Sequence, residues 1–250
     1  MPPLSQPADV WAASARQQLR AEIAHSIDDP FHWDLYNRIG PGCELLGPVH
    51  GRDVVDLGCG TGRTIAHLTH HHGARGTGLD SSPAMTELAA ARFADLQGLS
   101  FVTADAVDHL AQHRNVYDVV LSRFGAVCFA HPLLLLPLVA AALRPGGVFV
   151  FSTMAQHGDG TPASAYLSIS PTPLPQHDGS TVTVPRRILS RSLWERMLSR
   201  DFVVQHVQRL VPPRSPGAPR SSRWPAGSSA PCAADLQEAT RYEPARTHPP

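Results

Sequence analysis

The chain has 250 residues, of which 42% are apolar and 17% charged, and its 21 basic side chains balance its 21 acidic ones. This length supports one α/β domain with a single large core, or two small domains. The zero net charge argues against electrostatic binding of nucleic acid or of an anionic membrane surface.

Residues 1–50 are predicted to form an amino-terminal helical cap followed by an aromatic link. Apolar residues recur at helical spacing over residues 8–27, and Asp9 is suited to cap the first turn. The link contains Trp33 and Tyr36. The first residues lack the charged and apolar regions of an export signal, so we expect a cytoplasmic protein.

Short apolar strands alternate with helices in residues 51–211, which we assign to one domain. The predicted strands occupy residues 54–57, 76–79, 99–103, 117–122, 147–153, 180–184 and 202–207. The predicted helices occupy residues 63–71, 83–96, 132–143 and 189–198. This alternation is typical of an α/β fold with a Rossmann-like, doubly wound, mostly parallel sheet flanked by helices. Prolines interrupt the most apolar stretch, residues 124–143, so it is not expected to span a membrane.

The segment from residue 212 to residue 250 has a different composition. It contains nine Pro and five Ser but a single Leu and no Val, Ile or Phe. Such a segment offers too little apolar surface to offset its ordering entropy. We therefore predict that residues 212–250 form a disordered tail.

Three alternate glycines, Gly58, Gly60 and Gly62, join the first strand directly to the first helix. Glycine allows a sharp backbone turn and a close approach to a ligand. Asp80 ends the next strand, where a carboxylate can accept two hydrogen bonds from a ribose diol. The combination predicts an adenosine-type ligand at the point where the strand order reverses.

Other interpretations of these residues stay open. A dinucleotide fingerprint would need a glycine at position 65, where this chain has Ile65. The sequence therefore disfavours a nicotinamide-dependent oxidoreductase. The glycines are also compatible with an ordinary tight turn. Asp105 is suited to cap the helix that follows it, a role that is compatible with ligand binding. Cys59 has no evident partner base and is expected to pack rather than to react.

The pattern Asp56-x-Gly58-x-Gly60-x-Gly62 resembles the first motif of class I S-adenosylmethionine-dependent methyltransferases. The resemblance runs over about residues 30–153. Further matches to that family, in its order, are Asp80, Asp105-Ala106, the strand at residues 117–122 and the turn at residues 143–147.

This resemblance implies that S-adenosylmethionine is the cofactor. It implies that Asp80 binds the ribose, that Asp105 binds the adenine amino group and that the glycine turn lies at the amino-acid end. Tyr36 is expected to close over the cofactor. The full set of residues implied to contact it is Tyr36, Asp56, Gly58, Gly60, Gly62, Asp80, Ser81, Met85, Asp105, Ala106, Ser122, Arg123 and Phe124.

The implied reaction is methyl transfer to a small-molecule acceptor, such as an intermediate of secondary metabolism. His131 and His157 follow the fourth and fifth strands and are candidate catalytic bases, with loop histidines without a role as the alternative. Trp33 is expected to roof the acceptor pocket, together with Tyr36 and residues 155–185.

No metal site is predicted for the densest histidine run, residues 70–72. The run ends a helix, where positive charge suits the carbonyl end, and no carboxylate or Cys completes a ligand set.

The family's sheet usually ends with a seventh, antiparallel strand, and no apolar run after residue 207 supplies one. We therefore expect that strand to be missing and the sheet to end in an open edge. This departure leaves open a cofactor-binding but catalytically inactive regulatory protein. A nucleic-acid methyltransferase is disfavoured because residues 122–125 lack an Asn/Asp-Pro-Pro-aromatic stretch. The oligomeric state stays open.

Overall fold

The computed structural model describes residue 11 and residues 26–35, 37–175, 181–210 and 237–244. The predicted helix over residues 8–27 lies almost entirely outside the described residues, as does Tyr36. Most of the predicted disordered tail, residues 212–236 and 245–250, also lies outside them.

The seven strands and four helices predicted within residues 51–211 lie close to their predicted positions. Strands within the described residues are β1 Asp53–Leu57, β2 Arg75–Asp80, β3 Leu99–Thr103, β4 Tyr117–Arg123, β5 Leu143–Met154, β6 Ser170–Pro175, β7 Thr181–Arg186, β8 Phe202–Leu210 and β9 Gln237–Pro244. The α-helices are α1 Arg63–His72, α2 Pro83–Arg92, α3 Ala106–Ala111, α4 Pro132–Ala142 and α5 Arg191–Leu198. Among the residues described, none of these helices has the length and apolar character needed to cross a bilayer. Strands β6 and β9 and the short helix α3 have no predicted counterpart.

Seven strands form one sheet in the order β3-β2-β1-β4-β5-β9-β8. Strands β1 to β5 run parallel, and β9 pairs antiparallel with both β5 and β8. β6 and β7 form a separate antiparallel hairpin that follows β5 in the chain. The expected doubly wound, mostly parallel fold is therefore confirmed, and its strand order reverses between β1 and β4.

The final antiparallel strand is present as β9, so the expectation that it is missing is wrong. Residues 237–244 also lie within the segment predicted to be disordered, and for them that prediction is wrong. The sequence of β9, QEATRYEP, contains one large apolar side chain, Tyr242, whose ring stacks on Phe151 with centroids 5.5 Å apart. Because its backbone is paired on both sides, β9 forms without the apolar run that marks the other strands.

Each face of the sheet buries its own core. On one face, Val55 and Leu57 pack with side chains of α3, α4 and α5. On the other face, Val54 packs with side chains of α1 and with Trp33. Trp33 is fully buried and donates its Nε1–H to the Gly42 carbonyl at 2.9 Å. It belongs to the core, so the expectation that it roofs an acceptor pocket is wrong.

The amino ends of β1 and β4 form what we call the amino edge, where ion pairs join the strands. Asp53 lies 2.7 Å from both Arg75 Nε and Arg144 Nη1. Arg144 Nη1 is also 2.8 Å from Asp118, which accepts a hydrogen bond from the Asp53 N–H at 2.8 Å. The hydrogen bond from Arg75 is the main reason why the pKa of Asp53 falls to about 2. Both carboxylates of the amino edge therefore have cationic partners.

Candidate functional site

A cavity of about 490 Å³ opens at the opposite, carboxyl edge of the sheet, where β1 to β4 end. Its volume lies within the roughly 300–1,000 Å³ that ligand pockets occupy. Open α/β sheets bind ligands at this place, outside the strand ends where the order reverses. The predicted binding residues that line the cavity are Gly58, Gly60, Asp80, Ser81, Met85, Asp105, Ala106, Arg123 and Phe124.

The glycine turn after β1 is shaped by contacts within the protein as well as by the cavity. Gly58 has φ +80°, and a Cβ there would lie 2.5 Å from the Ala126 backbone nitrogen. Gly62 has φ +79°, and a Cβ there would lie 2.5 Å from the Phe101 ring. Both positions need glycine for packing. Gly62 is not among the lining residues, so its role in the structure is to let Phe101 approach the turn.

Asp80 ends β2 and fixes the glycine turn. Its Oδ2 accepts a hydrogen bond from the Gly60 N–H at 2.9 Å, and its Oδ1 accepts one from the Ser82 N–H at 2.9 Å. Burial raises the pKa of this carboxyl, and the backbone hydrogen bonds oppose that rise. A carboxylate has about four lone-pair sites, so Asp80 retains capacity for ligand hydroxyls.

Asp56, near the end of β1, is almost fully buried. Its Oδ1 has no hydrogen-bond partner among the described residues. Burial raises the pKa of Asp56 to about 7, while the Arg123 charge lowers it and the Asp80 charge raises it. The carboxyl does not line the cavity but interacts with two residues that do. A buried polar atom without a protein partner suits a site that a ligand or water completes.

Asp105 lines the cavity just after the end of β3. Its Oδ1 accepts hydrogen bonds from the N–H groups of Val107 at 2.8 Å and Asp108 at 3.3 Å. The N-cap interpretation of Asp105 is therefore confirmed. The Asp105 side chain is exposed at the cavity even while it caps the helix, so capping and ligand contact remain compatible.

The wall after β4 differs from the prediction in one residue. Ser122 is buried and donates its hydroxyl to the carbonyl that ends β1, at 2.7 Å, so it joins the two strands and does not line the cavity. Arg123 lines the cavity and donates to the carbonyls of His32 and Asp34, each at 3.2 Å. Phe124 lines it with φ +53°, a conformation that non-glycine residues rarely adopt and that is concentrated at functional sites.

Neither candidate base lies among the residues that line the cavity. His131 adjoins the lining residue Ala130, and its Nδ1 is buried without a hydrogen-bond partner in the described part of the chain. His157 lies in a turn after β5, where its N–H donates to the Thr161 carbonyl at 2.8 Å. The geometry therefore favours His131 over His157.

Several lining residues escape prediction from the sequence: Trp11, Leu35, Cys59, Thr61, Phe129 and Arg186. Trp11 packs edge-to-face on Phe129, with ring centroids 5.8 Å apart. The guanidinium carbon of Arg186, at the end of β7, lies 5.2 Å from the centre of the same ring. We call Trp11, Phe129 and Arg186 the aromatic lobe. No local pattern could have found it, because its members come from three distant parts of the chain.

A histidine cluster lies apart from the lining residues. Ligand atoms of Asp28, His70 and His71 lie within 4.8 Å of one another, and His72 Nε2 is 3.3 Å from Cys43 Sγ. The expectation that no carboxylate or Cys lies near this run is therefore wrong. The three grouped residues are exposed, and we assign no ion to them.

A family model described as a methyltransferase domain matches residues 54–147. The chain is 31% identical over 181 residues to the phthiotriol/phenolphthiotriol dimycocerosates methyltransferase of Mycobacterium tuberculosis, covering 72% of this chain and 63% of that protein. It is 33% identical over 128 residues to the ubiquinone biosynthesis O-methyltransferase of Cronobacter sakazakii, covering 50% of this chain and 51% of that protein. The chain thus spans less than two thirds of the length of both curated relatives.

Among solved structures, the chain is similar to an S-adenosylmethionine dependent methyltransferase from Mesorhizobium loti. The TM-score is 0.54 at 22% identity, with 79% of this chain and 93% of that chain covered. At this identity the likeness shows the fold alone, in agreement with the strand order described above.

Proposed function

Because this chain belongs to the class I S-adenosylmethionine-dependent methyltransferases, we propose that it transfers a methyl group from S-adenosylmethionine to a small-molecule acceptor. The observation that carries the proposal is the cavity at the carboxyl edge, where the Asp80 carboxylate binds the Gly60 N–H of the glycine turn. The balanced charge of the chain supports a small molecule over nucleic acid as the acceptor.

The residues at the cavity fit the parts of this cofactor. Asp80 offers carboxylate oxygens for the ribose hydroxyls, and Asp105 offers one for the adenine amino group. Asp56 does not line the cavity, but it lies behind it and interacts with the lining residues Asp80 and Arg123. Gly58 and Gly60 have no side chains, so the cofactor can approach the backbone closely where it borders the cavity.

When bound, S-adenosylmethionine supplies a methyl group on a positively charged sulfur, which is already activated for attack. The main contribution of the protein is then to hold the two reactants close and in line. Phe124 and Phe129 present apolar surface that excludes water from the cavity. An acceptor hydroxyl or amine must also lose a proton, and we propose His131 as the base, with His157 as the alternative.

Calorimetric titration of the full chain with S-adenosylmethionine tests the cofactor, with NAD as the matched control ligand. We expect saturable binding of S-adenosylmethionine and none of NAD. A chain that is folded by circular dichroism but binds no S-adenosylmethionine would refute the proposal.

Transfer of a radiolabelled methyl group to a panel of hydroxylated and aminated small molecules tests the reaction. With a responsive acceptor, the His131→Gln variant is expected to lose roughly 10²- to 10⁴-fold in kcat, the usual contribution of a general base. The His157→Gln variant serves as the comparison and is expected to keep its activity. The opposite order would assign the base to His157.

A cofactor-binding but inactive regulatory protein was the alternative that a missing seventh strand would favour. That strand is present as β9, which removes the observation that supported it. Binding of S-adenosylmethionine without transfer to any member of the panel would favour this alternative again.

A further inference from the structure

Arg186 is a buried cation at the cavity whose hydrogen-bond donors are only partly used. Its side chain is only 8% exposed, and its Nε has no hydrogen-bond partner among the described residues. Its contact within the aromatic lobe is the Phe129 ring, which its guanidinium faces at 5.2 Å. Burying a cation is costly unless its donors are used, so a buried guanidinium at a cavity whose Nε has no acceptor in the described part of the chain calls for an explanation.

Two other arginines in the same region donate hydrogen bonds to backbone carbonyls. Arg187 Nε donates to the Ala130 carbonyl at 3.0 Å, and Arg123 donates to two backbone carbonyls. Both side chains thus support the local backbone. Arg186 lines the cavity, as Arg123 does, but its Nε donor has no acceptor among the described residues.

The position of Arg186 separates it from the carboxylates that also line the cavity. Asp80 ends β2 and Asp105 follows β3, both on one side of the point where the strand order reverses. Arg186 packs on Phe129, which follows β4 on the other side. The cavity therefore has an acidic end and a cationic, aromatic end.

We propose that the acceptor carries an oxyanion, a carboxylate or a phosphate, which Arg186 binds, next to an apolar body that contacts Phe129 and Trp11. The planar guanidinium matches both kinds of oxyanion with paired N–H donors. The aromatic rings and Ala130 supply the apolar surface beside it. This inference rests on the proposed function, since it names the class of acceptor that the same cavity takes.

Octanoate, octyl phosphate and octanol are suitable probes because they share an apolar chain and differ in the head group. Their binding to the full chain saturated with S-adenosylhomocysteine is measured by calorimetry for the wild type, Arg186→Gln and Arg186→Lys. Arg191→Gln is the matched control, because Arg191 is an exposed arginine whose Nε pairs with Glu195 on α5.

For the wild type we expect at least one anionic probe to bind about tenfold more tightly than octanol, as charge-assisted hydrogen bonds predict. Arg186→Gln should abolish that preference, Arg186→Lys should retain part of it, and Arg191→Gln should leave it intact. Whichever of octanoate and octyl phosphate binds more tightly identifies the oxyanion. If Arg186→Gln does not fold, the comparison between wild type and Arg186→Lys carries the test.

Affinity for S-adenosylmethionine separates this inference from the proposed function. It should change less than about twofold in Arg186→Gln, far below the tenfold step that 1.4 kcal/mol represents. A large loss would assign Arg186 to the carboxylate of the cofactor and overturn the inference. Equal binding of all three probes, or no binding of any, would also overturn it. Failure of the wild type to bind S-adenosylmethionine would instead overturn the proposed function.

Discussion

The two edges of the parallel sheet treat charge in opposite ways. At the amino edge, Asp53 and Asp118 are paired with arginines at 2.7–2.8 Å. At the carboxyl edge, Asp56 Oδ1 and Arg186 Nε are buried without partners among the described residues. The same strand, β1, carries Asp53 at one end and Asp56 near the other. The charged groups of the amino edge are paired within the protein, whereas polar atoms at the carboxyl edge are left for a ligand to bind.

This contrast assigns different roles to similar side chains. Removing a carboxylate from a satisfied pair changes the stability of the fold, because it leaves a cation without its partner. Removing one from the carboxyl edge should change ligand affinity first. Three predictions test the contrast, from the largest expected effect to the smallest.

The largest effect is expected for Gly58→Ala. Its Cβ would meet the Ala126 nitrogen at 2.5 Å, and backbone atoms cannot move aside as a side chain can. We expect a loss of more than about 4 kcal/mol in the free energy of unfolding, measured with urea, and loss of S-adenosylmethionine binding.

Gly51→Ala at the amino end of the sheet is the matched control. Gly51 also has a positive φ, +67°, but a Cβ there would meet nothing within 4 Å. The cost should be the left-handed strain alone, about 1–2 kcal/mol, with cofactor binding retained. Equal losses in the two variants would show that close contact at the turn is unimportant.

An intermediate effect is expected for Asp80→Asn and Asp53→Asn, which should differ in what they change. Asp80→Asn should weaken S-adenosylmethionine binding about 10- to 100-fold, as expected when hydrogen bonds to a charged group are lost. Asp53→Asn should lower the free energy of unfolding and leave the affinity within about twofold, since no ligand contact is removed. Calorimetry and urea unfolding on both variants measure the two quantities, and an affinity loss in Asp53→Asn would remove the distinction between the edges.

The smallest effect, taken per pH unit, is a pH dependence of opposite sign at the two edges, limited to about 1.4 kcal/mol for one group. The pKa of Asp56 is raised to about 7 by burial, so its stabilising contribution is present at low pH and is lost as pH rises from about 4 to 7. The pKa of Asp53 is lowered to about 2, so its contribution is present above about pH 4 and is lost as pH falls towards 2.

Urea unfolding of Asp56→Asn and the wild type at pH 5 and pH 7.5 measures the first part. The variant should gain stability relative to the wild type between these values. Subtracting the wild-type curve removes the opposite slope from His67 and His109, whose pKa values burial lowers. A constant difference between pH 5 and pH 7.5 would contradict a raised pKa at Asp56.

The sequence predicts the parallel half of the fold well because its signals are local. An apolar run, a glycine turn and a terminal Asp follow one another along the chain from Val54 to Asp80, so pattern and structure coincide there. The same holds for Asp105, whose capping role depends only on the next three residues. Nine of the thirteen residues predicted to contact the cofactor line the cavity, and five of the nine lie in these segments: Gly58, Gly60, Asp80, Asp105 and Ala106.

The failures have one physical cause, which is that distant parts of the chain decide the outcome. β9 is paired on both sides by strands that precede it, so its own side chains need little apolar character. Arg186 reaches the cavity because the β6–β7 hairpin folds towards the loop after β4. Trp33 carries the same aromatic signal as a pocket residue, yet it is fully buried in the core that Val54 of β1 and the side chains of α1 form.

The place of β9 has a consequence for how the protein is made. The ribosome synthesises β5 and β8 before β9. Until residue 244 has emerged, the edges of β5 and β8 that pair with β9 therefore have unpaired hydrogen-bonding groups. During that interval each edge is a template for another nascent chain. A nonsense codon or a proteolytic cut before Gln237 would make the interval permanent, and the product should precipitate even though every residue of the cavity is intact.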